Sequence, residues 1–147
     1  MEERFQTFTV LISSISRSIR RIKTEEMDEY NLKSPHVSCL YYLFKFGALT
    51  AKQLCDICQE DKAALSRSVE HLEKSGYIEN EGIKKKYRSP LNLTQKGKEV
   101  AKKIVVKIDK ILTLASEGLS EEKRVILYEG LNLINNNLEK FIEKYGD

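Results

Sequence analysis

Residues 50–76 read TAKQLCDICQEDKAALSRSVEHLEKSG, and the architecture of the chain is set around this stretch. Thr50 and Gln53 have the spacing of a capping box, which predicts that a short helix begins here. Asp61 can cap a second helix, and Gly76 is typical of the residue that follows a helix end. Two short helices around a tight turn indicate a helix-turn-helix.

The second of these helices, predicted from Asp61 to Ser75, has two different sides. At 100° per residue its apolar residues fall on one side, and they are Leu65, Val69 and Leu72. The opposite side carries Ala63, Ser66, Arg67, Glu70 and Lys74. An α-helix fits the DNA major groove, where Arg67 could reach guanine and the small Ala63 and Ala64 would permit close approach. Glu70 either accepts a hydrogen bond from cytosine or pairs with Arg67 or Lys74, and the sequence leaves these alternatives open.

The segments on either side of the helix-turn-helix are predicted to form two further helices and a small hairpin. Ser34-Pro35 predicts a helix start, with Ser34 as the cap, and Gly47 predicts its end. Two short strands are predicted at 77–79 and 89–93, and they form a hairpin in which Pro90 lies at an edge or a strand start. Thr94 then begins another helix that ends near Gly118, with an apolar face of Ile104, Ile108, Ile111 and Ala115.

Both ends of the chain are predicted to be long amphipathic helices. Apolar residues recur at alternating gaps of three and four, at Phe5, Phe8, Ile12, Ile15, Ile19 and Ile22. The same pattern follows a predicted helix start at Ser120, at Leu127, Leu131, Ile134, Leu138, Phe141 and Tyr145. Narrow stripes of this kind pack within one chain or between two chains, and here they favour a helical dimerisation layer.

Composition limits the class of protein. The 147 residues are 32% charged and 41% hydrophobic with only two Pro, which is typical of one ordered, helix-rich domain. No apolar run approaches the roughly 20 residues that span a bilayer, and the acidic start at 1–4 is unlike a secretory signal. We therefore expect no membrane association and a cytoplasmic location. Three cysteines, an odd number, also fit a reducing compartment.

Positive charge is concentrated in one part of the chain. Residues 84–103 contain eight basic residues and one acid, a net charge of +7, whereas the whole chain carries +3. A lone run of this kind most often only solvates a surface. Next to a helix-turn-helix it indicates a polyanionic partner.

Some cysteine, histidine and aromatic residues are candidates for functional sites. Cys55 and Cys58 have redox or half-zinc-site spacing, but without a second Cys or His pair buried structural thiols are favoured and no metal is predicted. Cys39, three residues after His36, is a weaker alternative as an oxidant or metal sensor. His71 is predicted to be solvated or to contact phosphate. Four aromatic residues lie close together in the predicted helix that follows Ser34-Pro35, at Tyr41, Tyr42, Phe44 and Phe46. Most of them are expected in the core, and some are expected to line a cleft for a small apolar or aromatic effector.

Recognised catalytic motifs are missing. The chain has neither a phosphate-binding glycine loop nor a nucleophile elbow. Its two histidines are not placed with a Ser or Cys in a catalytic arrangement. We therefore expect that the protein is not an enzyme and has no cofactor.

An ordered series of short motifs resembles the MarR family of bacterial winged-helix transcription regulators over nearly the whole chain. The series is Ser34-Pro35, Leu49-Thr50, Gln53-Leu54, Asp61 to Arg67, Leu72-Glu73, Ser75 to Ile78 and Leu91 to Gly97. The resemblance implies an obligate homodimer with recognition helices in successive major grooves and wings at flanking minor grooves. It also implies that a ligand, oxidant or metal often releases the DNA. The implied function is an effector-responsive repressor of transcription on a pseudo-palindromic operator.

The sequence departs from the family at the wing and on the recognition helix. Family members carry Asp-x-Arg near the wing tip, where this chain has Lys85 and Tyr87, so that Lys86 or Arg88 would supply the minor-groove cation. Ala63 and Ala64 replace the more common Ser or Thr, which shifts weight onto phosphate contacts and DNA shape.

The expected fold is mainly α with a small β-hairpin wing (α+β). Dimerisation helices at 1–33 and 104–147 would flank a winged helix-turn-helix DNA-binding lobe at 34–103. The expected DNA-binding residues are Lys62, Ala63, Ala64, Ser66, Arg67, Glu70, Lys74, Lys84, Lys85, Lys86 and Arg88. The alternative is a winged-helix adaptor that uses its basic face to bind protein and does not bind DNA.

Overall fold

The computed structural model describes residues 2–80 and 88–146. Its chain divides into two compact units, residues 1–108 and 109–147. The predicted wing residues Lys84, Lys85 and Lys86 lie outside the described residues, as does Tyr87.

The N-terminal helix is confirmed, with one irregularity that the sequence did not predict. It consists of α1 (Glu2–Phe5), a π-helical segment (Gln6–Leu11) and α2 (Ile12–Glu26). A 3-10 turn at Asp28–Tyr30 follows and ends at Asn31, which has a left-handed φ of 55°. The apolar stripe is exposed along its length, from Phe5 at 69% to Ile22 at 37%.

The N-cap residue of helix α3 (Ser34–Phe46) lies one position earlier in the sequence than predicted. Ser34 is the first helical residue, and Lys33 occupies the cap position. The Ser34 backbone N–H donates to Thr24 Oγ1 at 3.2 Å. Ser34 is therefore a helical residue whose N–H is satisfied by Thr24, and it is not the N-cap. The predicted end at Gly47 is confirmed, because its φ of 79° lies in the region that favours glycine.

The helix-turn-helix and the hairpin follow in the predicted order. Strand β1 (Leu49–Thr50) leads into α4 (Ala51–Cys58), and α5 (Lys62–Lys74) precedes β2 (Ile78–Asn80). Strand β3 (Pro90–Leu93) pairs antiparallel with both neighbours, in the order β1-β3-β2. Strand β1 was not predicted. Thr50 in β1 pairs with Pro90, the first residue of β3. This position agrees with the prediction that Pro90 lies at a strand start.

The core of residues 1–108 lies among α3, α4, α5, the sheet and the first half of α6 (Gln95–Ala115). Its fully buried side chains include Leu40, Leu54, Leu72, Leu91 and Ile104. Tyr41 and Tyr42 pack partly buried against this core. Phe44 and Phe46 do not: they are 39% and 65% exposed, which corrects the prediction that the aromatic residues of this helix are mostly core.

Residues 109–147 hold the end of α6 and helix α7 (Glu121–Ile142). The predicted start is confirmed, because the Lys123 backbone N–H donates to Ser120 Oγ at 3.3 Å. Within α7 no residue is buried. The predicted apolar stripe is exposed at Leu131 and Leu138 and half-buried at Ile134. Across the described residues, no helix is both long and apolar enough to cross a membrane.

Candidate nucleic-acid interface

Helix α5 is held at its N-terminus by the predicted cap. The Ala64 backbone N–H donates to Asp61 Oδ1 at 2.7 Å. One helix earlier, Thr50 and Gln53 form the predicted reciprocal capping box, with hydrogen bonds of 2.9 and 3.1 Å. Gln59 closes the turn between the helices with a φ of 54°. Both helices of the helix-turn-helix therefore begin at fixed positions.

The apolar side of α5 is buried as predicted. Leu65 and Leu72 are 1% and 0% exposed, and Val69 packs partly buried against the same cluster. Ser68 is also buried, a position that the sequence gave no reason to single out. Because this side is buried against the core, α5 cannot rotate about its axis without exposing leucine.

The other side of α5 is open to solvent. Arg67 lies there, and among residues 2–80 and 88–146 no hydrogen bond or ion pair engages its guanidinium group. Ala64, by contrast, is only half exposed because it lies in the capped first turn. The exposed members of the predicted set are Lys62, Ala63, Ser66, Arg67, Glu70 and Lys74.

Glu70 forms an ion pair within this face. Its Oε1 lies 3.0 Å from Lys74 Nζ, with both side chains largely exposed. Of the alternatives left open by the sequence, the free chain therefore adopts the pairing with Lys74. An exposed pair of this kind contributes little to stability, so DNA could displace it at small cost.

His71 does not lie free on the open side of α5. Its Nε2 is 2.9 Å from the Asn31 carbonyl oxygen, and its ring stacks on His36 with centroids 4.3 Å apart. The prediction of a solvated or phosphate-contacting histidine is therefore wrong. The prediction failed because Asn31 and His36 are distant from His71 in sequence, so no local pattern indicates that they contact it.

The joint between the hairpin and α6 is tightly built. Thr94 Oγ1 donates to the Gly76 carbonyl at 2.6 Å and accepts the Gly97 backbone N–H at 3.0 Å. Lys96 Nζ donates to the Ser75 carbonyl at 2.8 Å and lies 4.6 Å from the centre of the Tyr77 ring. Lys96, one of the eight basic residues counted above, is thus engaged in holding the end of α5.

The remaining predicted features are placed as follows. Arg88 is exposed just before β3. Cys55 is buried as predicted, but Cys58 is only half-buried, so the prediction of a buried thiol is wrong for Cys58. Cys39 is also buried. Within the described ranges, no group of three or more His, Cys, Asp or Glu side chains could hold a metal ion.

Comparison with known proteins agrees with this geometry. Residues 30–84 match the model of the MarR family. The matched segment contains both helices of the helix-turn-helix. The chain is 25% identical over 131 residues to the uncharacterized HTH-type transcriptional regulator YwaE of Bacillus subtilis (strain 168), covering 88% of this chain and 77% of that one.

Solved structures share the MarR-family fold over almost the whole chain. A Listeria monocytogenes protein complexed with a 26mer DNA is 24% identical, with a TM-score of 0.81 and coverage of 92% and 93% of the two chains. The MepR–DNA complex of S. aureus is 18% identical, with a TM-score of 0.79 and coverage of 90% and 97%. The chain therefore has the fold of a MarR-family transcriptional regulator, and the resemblance seen in the sequence is confirmed.

Proposed function

We propose that the chain is a DNA-binding transcriptional repressor that occupies a pseudo-palindromic operator as a homodimer and responds to an effector. The observation that carries the proposal is the open face of α5, where the Arg67 guanidinium is exposed on a helix fixed by its cap and its buried side. Similar proteins whose structures include DNA support it. Enzymatic activity is not part of the proposal.

The chemistry of the α5 face suits a major groove. Arg67 can donate two hydrogen bonds to guanine O6 and N7, and Ser66 can contact a base or a phosphate. Ala63 has no long side chain to hold the helix away from the bases. Lys62 and Lys74 lie at the two ends of the face and suit phosphates of the backbone.

The wing would add contacts of a second kind. Arg88 is exposed at the base of the hairpin, and the lysines at 84–86 precede it in sequence. A narrow minor groove has a strong negative potential that attracts inserted cations. Lys84, Lys85, Lys86 and Arg88 are therefore proposed as wing contacts that raise affinity for duplexes of any sequence.

Two copies of the chain would pair through the exposed apolar stripes at its ends. The N-terminal stripe exposes Ile15 at 50% and Ile19 at 43%, and the stripe on α7 exposes Leu131 at 42%. Rows of this length are costly to leave in water. Pairing about a two-fold axis would present two α5 helices to half-sites about 34 Å apart.

An apolar or aromatic effector is the remaining part of the proposal. Phe44 lines an open cleft of about 520 Å³ together with Leu43 and Leu93. The polar residues Glu79, Asn92 and Lys98 also line this cleft. A ligand bound here would contact β3 and the start of α6, and it would shift DNA binding only through a difference in affinity between two states. A thermal-shift screen of aromatic compounds that finds no stabilising ligand would contradict this part alone.

The experiment that tests the proposal combines selection and salt titration. Sequences bound from a random duplex pool should converge on a two-fold symmetric site, and affinity for that site should fall steeply as salt rises. No retardation of any duplex at low salt would overturn the proposal and favour the adaptor without DNA binding. Selected sequences without two-fold symmetry would contradict the homodimer while leaving DNA binding intact.

A further inference from the structure

Two cysteines from different helices meet beside α2. Cys39 lies in the middle of α3 and is 1% exposed, whereas Cys58 is the last residue of α4 and is half-buried. Their thiols are hydrogen-bonded to each other. The two thiols are thus direct neighbours, and of the two only Cys58 is open to solvent.

A lysine ammonium is held next to this pair. Lys23 Nζ donates to Ser38 Oγ at 3.1 Å, which fixes the end of a side chain that would otherwise be mobile. Burial lowers the pKa of Lys23, and the neighbouring Cys58 and Glu60 act in the opposite direction. The positive charge therefore lies where it attracts a thiolate.

The two thiols are electrostatically different. The hydrogen bond donated by Cys39 lowers the pKa of Cys58, and the Lys23 ammonium lowers it further, against the effects of burial and of the Glu60 carboxylate. The same hydrogen bond and burial raise the pKa of Cys39 well above its ordinary value. Tyr42 also faces Cys58, and burial and that thiol raise the pKa of its phenol. Cys58 is thus the thiol that ionises first.

We propose that Cys58 and Cys39 form a hydroperoxide-reactive dithiol, in which the half-exposed Cys58 attacks the oxidant and the buried Cys39 resolves the product as an intrachain disulfide. Accessible thiolates next to a second thiol are the cysteines most readily oxidised in this way. The proposal is independent of DNA binding, because it rests on the side chains of α2, α3 and α4 alone.

The reaction balances with one hydroperoxide. The Cys58 thiolate attacks the outer peroxide oxygen, an S–O bond forms, the O–O bond breaks, and the departing alkoxide takes a proton to leave as an alcohol. Cys39 sulfur then attacks the sulfenic sulfur of Cys58. An S–S bond forms, the S–O bond breaks, and the hydroxyl group leaves as water with the proton from Cys39. The peroxide gains the two electrons that the thiols lose.

The test uses the full chain and hydrogen peroxide at one equivalent and neutral pH. Peptide mapping without reductant should show a Cys39–Cys58 link, with a mass loss of about 2 Da. Cys55, one turn before Cys58 on the same helix and buried, provides the control, so the Cys55→Ala variant should form the same link. An absent link, or one that includes Cys55 in the unaltered chain, would overturn the proposal.

Two further variants separate the roles of the residues. In Cys39→Ser the sulfenic acid should persist on Cys58 and be trapped by dimedone, at least about tenfold faster than on Cys55. In Lys23→Met the pH at which Cys58 alkylation is half-maximal should rise, because the ammonium is lost. Equal labelling of Cys55 and Cys58, or an unchanged pH profile in Lys23→Met, would contradict the assigned roles, and circular dichroism would confirm that each variant is folded.

Discussion

Arg67 is the residue on which sequence discrimination should depend. Its guanidinium is exposed on the open face of α5, and a bidentate contact with guanine is worth about 1–3 kcal/mol. Arg67→Ala should therefore reduce the preference for the selected operator over random duplex by roughly 5- to 150-fold. Competition titrations at one salt concentration measure this ratio.

Lys74→Ala is the matched control for Arg67. Lys74 lies on the same face but is paired with Glu70, and its proposed contact is with phosphate. Its loss should weaken all duplexes by a similar factor and leave the preference for the operator unchanged. If Arg67→Ala behaves in the same way as Lys74→Ala, Arg67 does not contact a base.

His36 should make folding stability depend on pH. Burial, followed by the neighbouring His71 and Lys33, lowers the pKa of His36 from 6.5 to about 4. Its Nδ1 also accepts the Lys33 backbone N–H at 2.9 Å, which a protonated ring cannot do. Below pH 6.5, His36 binds a proton in the unfolded chain but not in the folded chain. The free energy of unfolding should therefore fall as the pH drops to about 4, and below that the contribution of His36 no longer changes.

The expected loss is about 1–2 kcal/mol, since the ring is half-buried and solvent screens part of the effect. Denaturant titrations between pH 7 and pH 4 measure it. His36→Gln is a suitable control because glutamine at the third helical position can still accept the same backbone hydrogen bond. An identical loss of stability in His36→Gln would show that another group is responsible.

At the scale of whole elements, local sequence predicted most boundaries because local contacts fix them. The caps at Thr50, Asp61 and Ser120 each satisfy a backbone N–H within three residues, so the residue types alone reveal them. Strand β1 has only two residues, and it exists because β3 pairs with it from 40 residues away. No local pattern could predict a strand of that kind.

For the side chains near the candidate interface, too, contacts within one helix could be predicted from the sequence, whereas contacts between separate elements could not. The open face of α5 followed from helical periodicity, because burial of Leu65 and Leu72 leaves the opposite side exposed. The contact of His71 with Asn31 and the pairing of Cys39 with Cys58 join separate elements. Such contacts depend on how helices pack, which residue spacing within one helix does not determine.

The joint between the hairpin and α6 leads to a prediction about stability. A Cβ at Gly97 would lie 1.9 Å from the Tyr77 carbonyl oxygen, which is backbone and also accepts the Thr94 N–H at 3.1 Å. Neither partner can move without breaking the joint. Gly97→Ala should lower the free energy of unfolding by about 2–3 kcal/mol. The control is Lys98→Ala, because Lys98 is the next residue and its side chain is exposed; this variant should have nearly unchanged stability. Equal free energies of unfolding of the two variants in denaturant would contradict the prediction.

At the scale of the whole molecule, the exposed apolar stripes should decide the oligomeric state. Ile19 is 43% exposed in the middle of the N-terminal stripe. Placing a charge there would require its desolvation in a dimer but not in a monomer, so Ile19→Asp should shift the chain towards the monomer. Because one α5 helix reaches one half-site, the same variant should also weaken operator binding by more than tenfold.

The control adds the same charge to the other side of α2. Ser13 is exposed and lies about 140° from the centre of the stripe at 100° per residue. Ser13→Asp should therefore sediment as a dimer and bind the operator normally at micromolar concentration. If Ile19→Asp is as dimeric as Ser13→Asp, the N-terminal stripe is not part of the dimer contact. If the unaltered chain sediments as a monomer, no contact between copies buries either stripe, and the proposed spacing of the two reading helices has no physical basis.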